Sequence, residues 1–231
     1  MRIAMATGFA REEGAPPTTE QIARVRSSCA GTIGTNRGKE EAMRRATLTT
    51  AAAVVGVAAV GLLAVPATAD DRICRGSIGA TTIDDNVRVP RGATCTLMRT
   101  YVKGNVIVSA NATLVATRVR VDGNVQAERA RRVVVQTSSR IDGDVQVDRG
   151  GAVSVLSSTI DGNIQLKTNA GPIVVNRNRV NGDIQLFSNR GRKEVRQNRV
   201  DGNLQCKSNR PAPVGGANVV GGNKEDQCRS L

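Results

Sequence analysis

The sequence contains no histidine and no tryptophan, and only one tyrosine and two phenylalanines among 231 residues. Without histidine, catalysis by an imidazole base is excluded. There is no G-x-S-x-G nucleophile motif either, and no close C-x-x-C pair of the kind that opens a cysteine zinc site. Sugar-binding and base-stacking surfaces draw on aromatic platforms, and after residue 69 only Tyr101 and Phe187 could supply one. Long apolar runs are missing as well. The longest, from Ala51 to Val65, is too short and too rich in Ala and Gly for a convincing membrane span.

What the sequence has instead is a repeat. Val121-Asp122-Gly123-Asn124-Val125-Gln126 returns at Ile141 to Gln146, Ile160 to Gln165, Val180 to Gln185 and Val200 to Gln205. Its glycines lie at 104, 123, 143, 162, 182 and 202, in steps of 19, 20, 19, 20 and 20 residues. A fixed period near 20, rich in β-branched residues, signals a solenoid with one coil per repeat.

Numbering each coil from its glycine separates apolar columns from polar ones. Two residues before it run Val102, Val121, Ile141, Ile160, Val180, Val200 and Val220. Two after it, with Asp85 standing for glycine in the first coil, run Val87, Val106, Val125, Val145, Ile164, Ile184 and Leu204. Four after it come Val89, Val108, Ala127, Val147, Leu166, Leu186 and Cys206. Nine and seven before it lie Cys95/Leu97, Leu114/Ala116, Val153/Val155 and Ile173/Val175, while the Val133-Val134-Val135 coil carries an extra residue and is ambiguous. Alternation of period two is the strand period. The expected fold is therefore all-β: a single-chain parallel β-helix, or β-solenoid, of about seven coils with three short strands each. Strands one coil apart pair in register at about 4.8 Å, so each column becomes a ladder of like residues. The glycine, flanked by Asp or Asn, is expected at a corner that needs a positive φ.

The outward columns carry the polar chemistry. Gln126, Gln146, Gln165, Gln185 and Gln205 form an expected amide ladder. Arg120, Arg140, Thr159, Arg179 and Arg199 should share a face with Asp122, Asp142, Asp161, Asn181 and Asp201, the cations neutralising a carboxylate column. A functional reading of the same surface is calcium binding at acidic corners, by Asp142 with Asp144 or Asp161 with Asp183.

Cys29 lies in the leader, leaving Cys74, Cys95, Cys206 and Cys228. Spacings of 21 and 22 are close to one coil, so Cys74 with Cys95 and Cys206 with Cys228 should staple neighbouring coils at the two ends. Met43-Arg44-Arg45, the apolar run, and Ala67-Thr68-Ala69 before Asp70 read as a signal peptide over 43–69, cleaved near Ala69. The implied organisation is an N-terminal extension over 1–42 lying upstream of the true start, the signal peptide, and a solenoid domain over 70–231. After Ala69 there are 25 basic and 15 acidic residues, a net of about +10.

The coil spacing over 73–225 resembles the right-handed parallel β-helix superfamily. The V-x-G-N-V opening, the cap from Val87 through Pro90 and Cys95 to Leu97, and the signal peptide bring it closest to uncharacterised secreted bacterial members. It is also similar to bactofilin repeats, which build cytoplasmic filaments from slightly shorter coils. The superfamily's polysaccharide lyases pair Asp-bound calcium with an Arg or Lys base, but the long loops that build their clefts have no counterpart here.

The expected function is an exported, non-catalytic scaffold or binding protein that needs no cofactor. Its partner would be an anionic wall polymer or polysaccharide met by Arg120, Arg140, Arg179 and Arg199. The alternative is a lyase-like enzyme. Charge alone would admit nucleic acid, but export and the missing aromatics oppose it. No catalytic residue stands out, no membrane span remains after signal cleavage, and the repeat specifies no oligomeric state.

Overall fold

A computed structural model describes residues 71–231. The extension and signal peptide assigned to 1–69 lie outside the described residues. The described chain is a β-solenoid of three parallel sheets with nine, eight and eight strands, and no helix. Among the described residues no helix is long and apolar enough to cross a membrane.

One coil shows how the pattern becomes structure. Val145–Asp148 lies in the first sheet, Ala152–Leu156 in the second and Thr159–Ile160 in the third. Along Val145–Asp148 the side chains alternate between buried and half-buried. Each strand pairs with its equivalents in the coils before and after, so Val125, Val145, Ile164, Ile184 and Leu204 stack in one inward column. All five are fully buried. In-register stacking follows because a slip by one residue would turn every apolar side chain outward.

There are eight turns rather than seven. The first, with strands Arg72–Ile73, Gly76–Ile78 and Thr82–Ile83, lacks both the repeat glycine and a buried column, so periodicity does not reveal it. The Val133-Val134-Val135 ambiguity also resolves: Val133 pairs with Leu114 and Val153, and Val135 with Ala116 and Val155. The extra residue is taken up just beyond the strand, where Thr137 and Ser138 both have positive φ.

The repeat glycines do not have positive φ, contrary to the sequence expectation. Their need is for space. A Cβ on Gly123 would sit 2.6 Å from Asn105 Oδ1 and 2.7 Å from the Gly104 carbonyl oxygen of the coil below. The left-handed residues are at the other two corners and are mostly not glycine: Thr168, Ser188 and Ser208 after the first sheet, and Arg177, Gln197 and Ala217 after the second. Left-handed geometry costs an ordinary L-residue about 1–2 kcal/mol.

At each of these corners the following residue turns inward and offsets that cost. Asn169, Asn189 and Asn209 form one buried amide ladder, and Asn178, Asn198 and Asn218 a second. Asn189 Oδ1 accepts from the Asn169 backbone N–H at 2.9 Å, while its Nδ2 donates to the Leu166 carbonyl at 2.9 Å. The glycine corner carries a third ladder along Asn105, Asn124, Asp144, Asn163, Asp183 and Asn203. Buried corners that would otherwise strand backbone groups are satisfied this way.

Both disulfides are present, with Cα separations of 5.5 Å for Cys74–Cys95 and 5.2 Å for Cys206–Cys228. The ends differ. Leu231 closes the C-terminal end of the core, whereas at the N-terminal end Ile73 is half exposed and Ile78 and Ile83 only partly covered.

Candidate functional site

The solenoid directs one side chain of every two outward, so each sheet presents columns of polar groups at the coil spacing. The third sheet carries the arginine and aspartate columns on one face, as the alternation requires. Arg120 Nε donates to Asp122 Oδ1 at 2.9 Å, and its Nη2 reaches Asp142 Oδ2 in the next coil at 3.1 Å. Arg140 repeats the arrangement, bonding Asp142 at 2.7 Å and also Asp161. Arg179 and Arg199 share Asp201 at 3.5 and 3.8 Å. The comb starts at Tyr101, whose hydroxyl donates to Asp122 Oδ2 at 2.6 Å and whose ring lies 5.2 Å below the Arg120 guanidinium. That hydrogen bond, joined by the Arg120 contact, holds the Asp122 carboxyl below its usual range; the same bond pushes the tyrosine up.

These pairs spend much of the comb's positive charge internally. Arg120 and Arg140, two of the four arginines expected to meet an anion, are each held by two carboxylates. Of the calcium candidates, Asp142 and Asp161 face the arginines, while Asp144 and Asp183 accept N–H donors within the glycine-corner ladder. Among the described residues no group of three or more Asp, Glu or Cys side chains converges as a metal site. The glutamine column is in register, but amide-to-amide bonding links only Gln185 to Gln205, at 2.9 Å, continuing to Glu225 at 3.0 Å. Gln146 instead donates to Asp144.

The corner after the first sheet changes character along the axis. Its N-terminal part holds Glu128 and Asp148 with Arg129 and Arg149: Arg149 reaches Glu128 at 2.6 Å and Asp148 at 3.1 Å, and Arg129 lies 3.7 Å from Glu128. These groups line a cleft of about 550 Å³ together with Gln126 and Gln146. Asp148 Oδ1 is buried there without a hydrogen-bond partner. In the C-terminal part the column that held Glu128 and Asp148 continues as Lys167, Phe187 and Lys207. A second cleft of about 460 Å³ is lined by Ser188, Asn189, Arg190, Ser208 and Arg210. None of these cations forms an ion pair among the described residues.

Sequence reasoning did not single out Lys167, Arg190, Lys207 or Arg210. The signal was available, because basic residues outnumber acidic ones between Arg190 and Arg210, but the repeat drew attention to the third sheet. It also passed over Lys193, which continues the inward column of Leu114, Val153 and Ile173. Lys193 is fully buried and its Nζ donates to the Asn189 carbonyl at 3.0 Å. Burial pushes the lysine below its ordinary pKa.

No protein-family model matches the chain, and no curated protein or solved structure matches it either.

Proposed function

We propose that the chain is an exported, non-catalytic β-solenoid scaffold that holds anionic cell-wall polymers or polysaccharides on its cationic surface. The observation that carries this reading is the axial change in charge at the corner after the first sheet, where compensated arginines give way to exposed cations that form no ion pair among the described residues. A surplus of positive charge ordered at the coil spacing suits a polymer whose charges also recur, and the net charge adds long-range attraction. Export is supported by the segment 43–69 and agrees with two disulfides, which fit an oxidising compartment.

The test is retention of the full chain on purified cell wall and on acidic polysaccharides across a salt series. Retention that falls as salt rises is the expected result. Failure to bind at any ionic strength would overturn the proposal.

A lyase-like reading draws on the first cleft, where Asp148 and Arg149 stand 3.1 Å apart and one carboxylate oxygen is unpartnered. Release of unsaturated sugars in the same tubes would favour it over the scaffold.

A further inference from the structure

Stacking coils in register places arginines of neighbouring coils directly over one another, about 4.8 Å apart. Like charges so placed are destabilising unless something lies between them. On this solenoid the usual counter-ion is a shared carboxylate. Arg120 and Arg140 share Asp142, Arg129 and Arg149 share Glu128, and Arg179 and Arg199 share Asp201.

Arg190 and Arg210 break this rule. Their backbone N–H groups bond the equivalent carbonyls of Asn169 and Asn189, so the two residues stack. Neither meets a carboxylate among the described residues, and none lines their cleft. Arg99 and Arg118 also stack without a carboxylate, but they line none of the described clefts. The difference at Arg190 and Arg210 is a shared open cleft together with extra donors. Ser188 and Ser208, both left-handed at φ 57, bring two hydroxyls to the cleft that make no hydrogen bond among the described residues. The exposed left-handed Ser138 and Ser157 at other corners likewise have no side-chain hydrogen bond among the described residues, but they line none of the described clefts.

Resting on the proposed function and narrowing it, we infer that the cleft of Arg190, Arg210, Ser188 and Ser208 is a binding site for a sulfate or phosphate ester carried by a linear glycan. Two guanidinium forks and two hydroxyls present donors from several directions, which suits a tetrahedral oxyanion. The anion takes the place that Asp142, Glu128 and Asp201 occupy between the other pairs. Beside the cleft, Lys167 and Lys207 flank Phe187 in register, so a polymer running along the axis meets two further cations and one apolar ring suited to a sugar face.

The experiment titrates the full chain with dextran sulfate, poly(glycerol phosphate) and neutral dextran, following binding by calorimetry. Replacing both arginines, Arg190→Gln with Arg210→Gln, is expected to weaken polyanion binding about tenfold or more, a loss of about 1.4 kcal/mol or more. The double variant Arg99→Gln with Arg118→Gln removes the same charge from an uncleft pair and should change affinity less than about threefold. Ser188→Ala with Ser208→Ala, which keeps all charge, should also weaken binding and guards against misfolding of the arginine variant. Binding of dextran sulfate alone assigns a sulfate ester, of poly(glycerol phosphate) alone a phosphate ester, and of both the shared oxyanion chemistry. If the wild-type chain binds but the Arg190/Arg210 variant binds as tightly, or loses no more than the Arg99/Arg118 variant, this site is wrong and the general reading survives. If the wild-type chain binds neither polyanion, this site is wrong, and the general reading falls with it when purified cell wall and acidic polysaccharides are not retained either.

Discussion

Lys193 places an ionisable group in a column where the four preceding coils put Leu114, Val133, Val153 and Ile173. Its ammonium has one acceptor and no carboxylate partner among the described residues, so burial favours the neutral form. The consequence for stability has a definite sign. With the folded pKa depressed, the unfolded chain binds more protons between that value and the ordinary lysine pKa of about 10.4. The penalty is therefore present in full below the depressed pKa and relieved as pH rises through the window. Lys193→Met is expected to stabilise the protein by about 1–3 kcal/mol at neutral pH. Its advantage should shrink towards pH 10, as read by chemical denaturation at several pH values. A variant with the same pH dependence as wild type would show the lysine to be solvated. Gly123 makes the complementary case at the same scale. Alanine would be acceptable to its backbone angles, yet the Cβ would press on Asn105 Oδ1 and the Gly104 carbonyl, so Gly123→Ala should cost about 1–3 kcal/mol. A neutral result would mean that the coil below yields.

At the scale of the coil, strands supply the apolar columns and the corners hold them in step. Val145 is fully buried between Val125 and Ile164, so Val145→Asp buries a carboxylate among aliphatic side chains and should abolish cooperative unfolding or shift its midpoint steeply. The corner ladders make a less obvious contribution. Asn189→Leu would leave the Asn169 N–H and the Leu166 carbonyl without their side-chain partner, at about 1–3 kcal/mol for each buried group. Thermal denaturation should show a loss comparable to that of a large core truncation, although the substitution makes the site more apolar. The inward columns that support the first prediction were legible from alternation. The ladders were not, because an asparagine beside a polar turn has the same local pattern whether it faces water or the coil below.

For the whole molecule, each coil contacts mainly its neighbours, so stability is distributed along the axis and the ends are the weak points. Leu231 and the Cys206–Cys228 bridge close one end, while the partly exposed first turn depends on Cys74–Cys95. Replacing both Cys74 and Cys95 by serine is expected to cost about 3 kcal/mol in the chain-entropy account. Amide exchange should rise first in Arg72–Ile83, and uniform loss of protection along all coils would contradict an end-specific role.

The sequence by itself determined that the chain is a three-sided parallel solenoid and which aliphatic residues face its bore. A two-residue alternation inside a 20-residue period leaves one arrangement that buries all the apolar columns together, and that arrangement also brings the cysteines into bonding range. Three things were decided only by the tertiary structure: why the repeat glycine must be glycine, how deeply Lys193 lies, and which stacked arginines lack a carboxylate. Each depends on the distance between residues about one coil apart, and that distance is set where the corners of successive coils meet, not by the local sequence on either side.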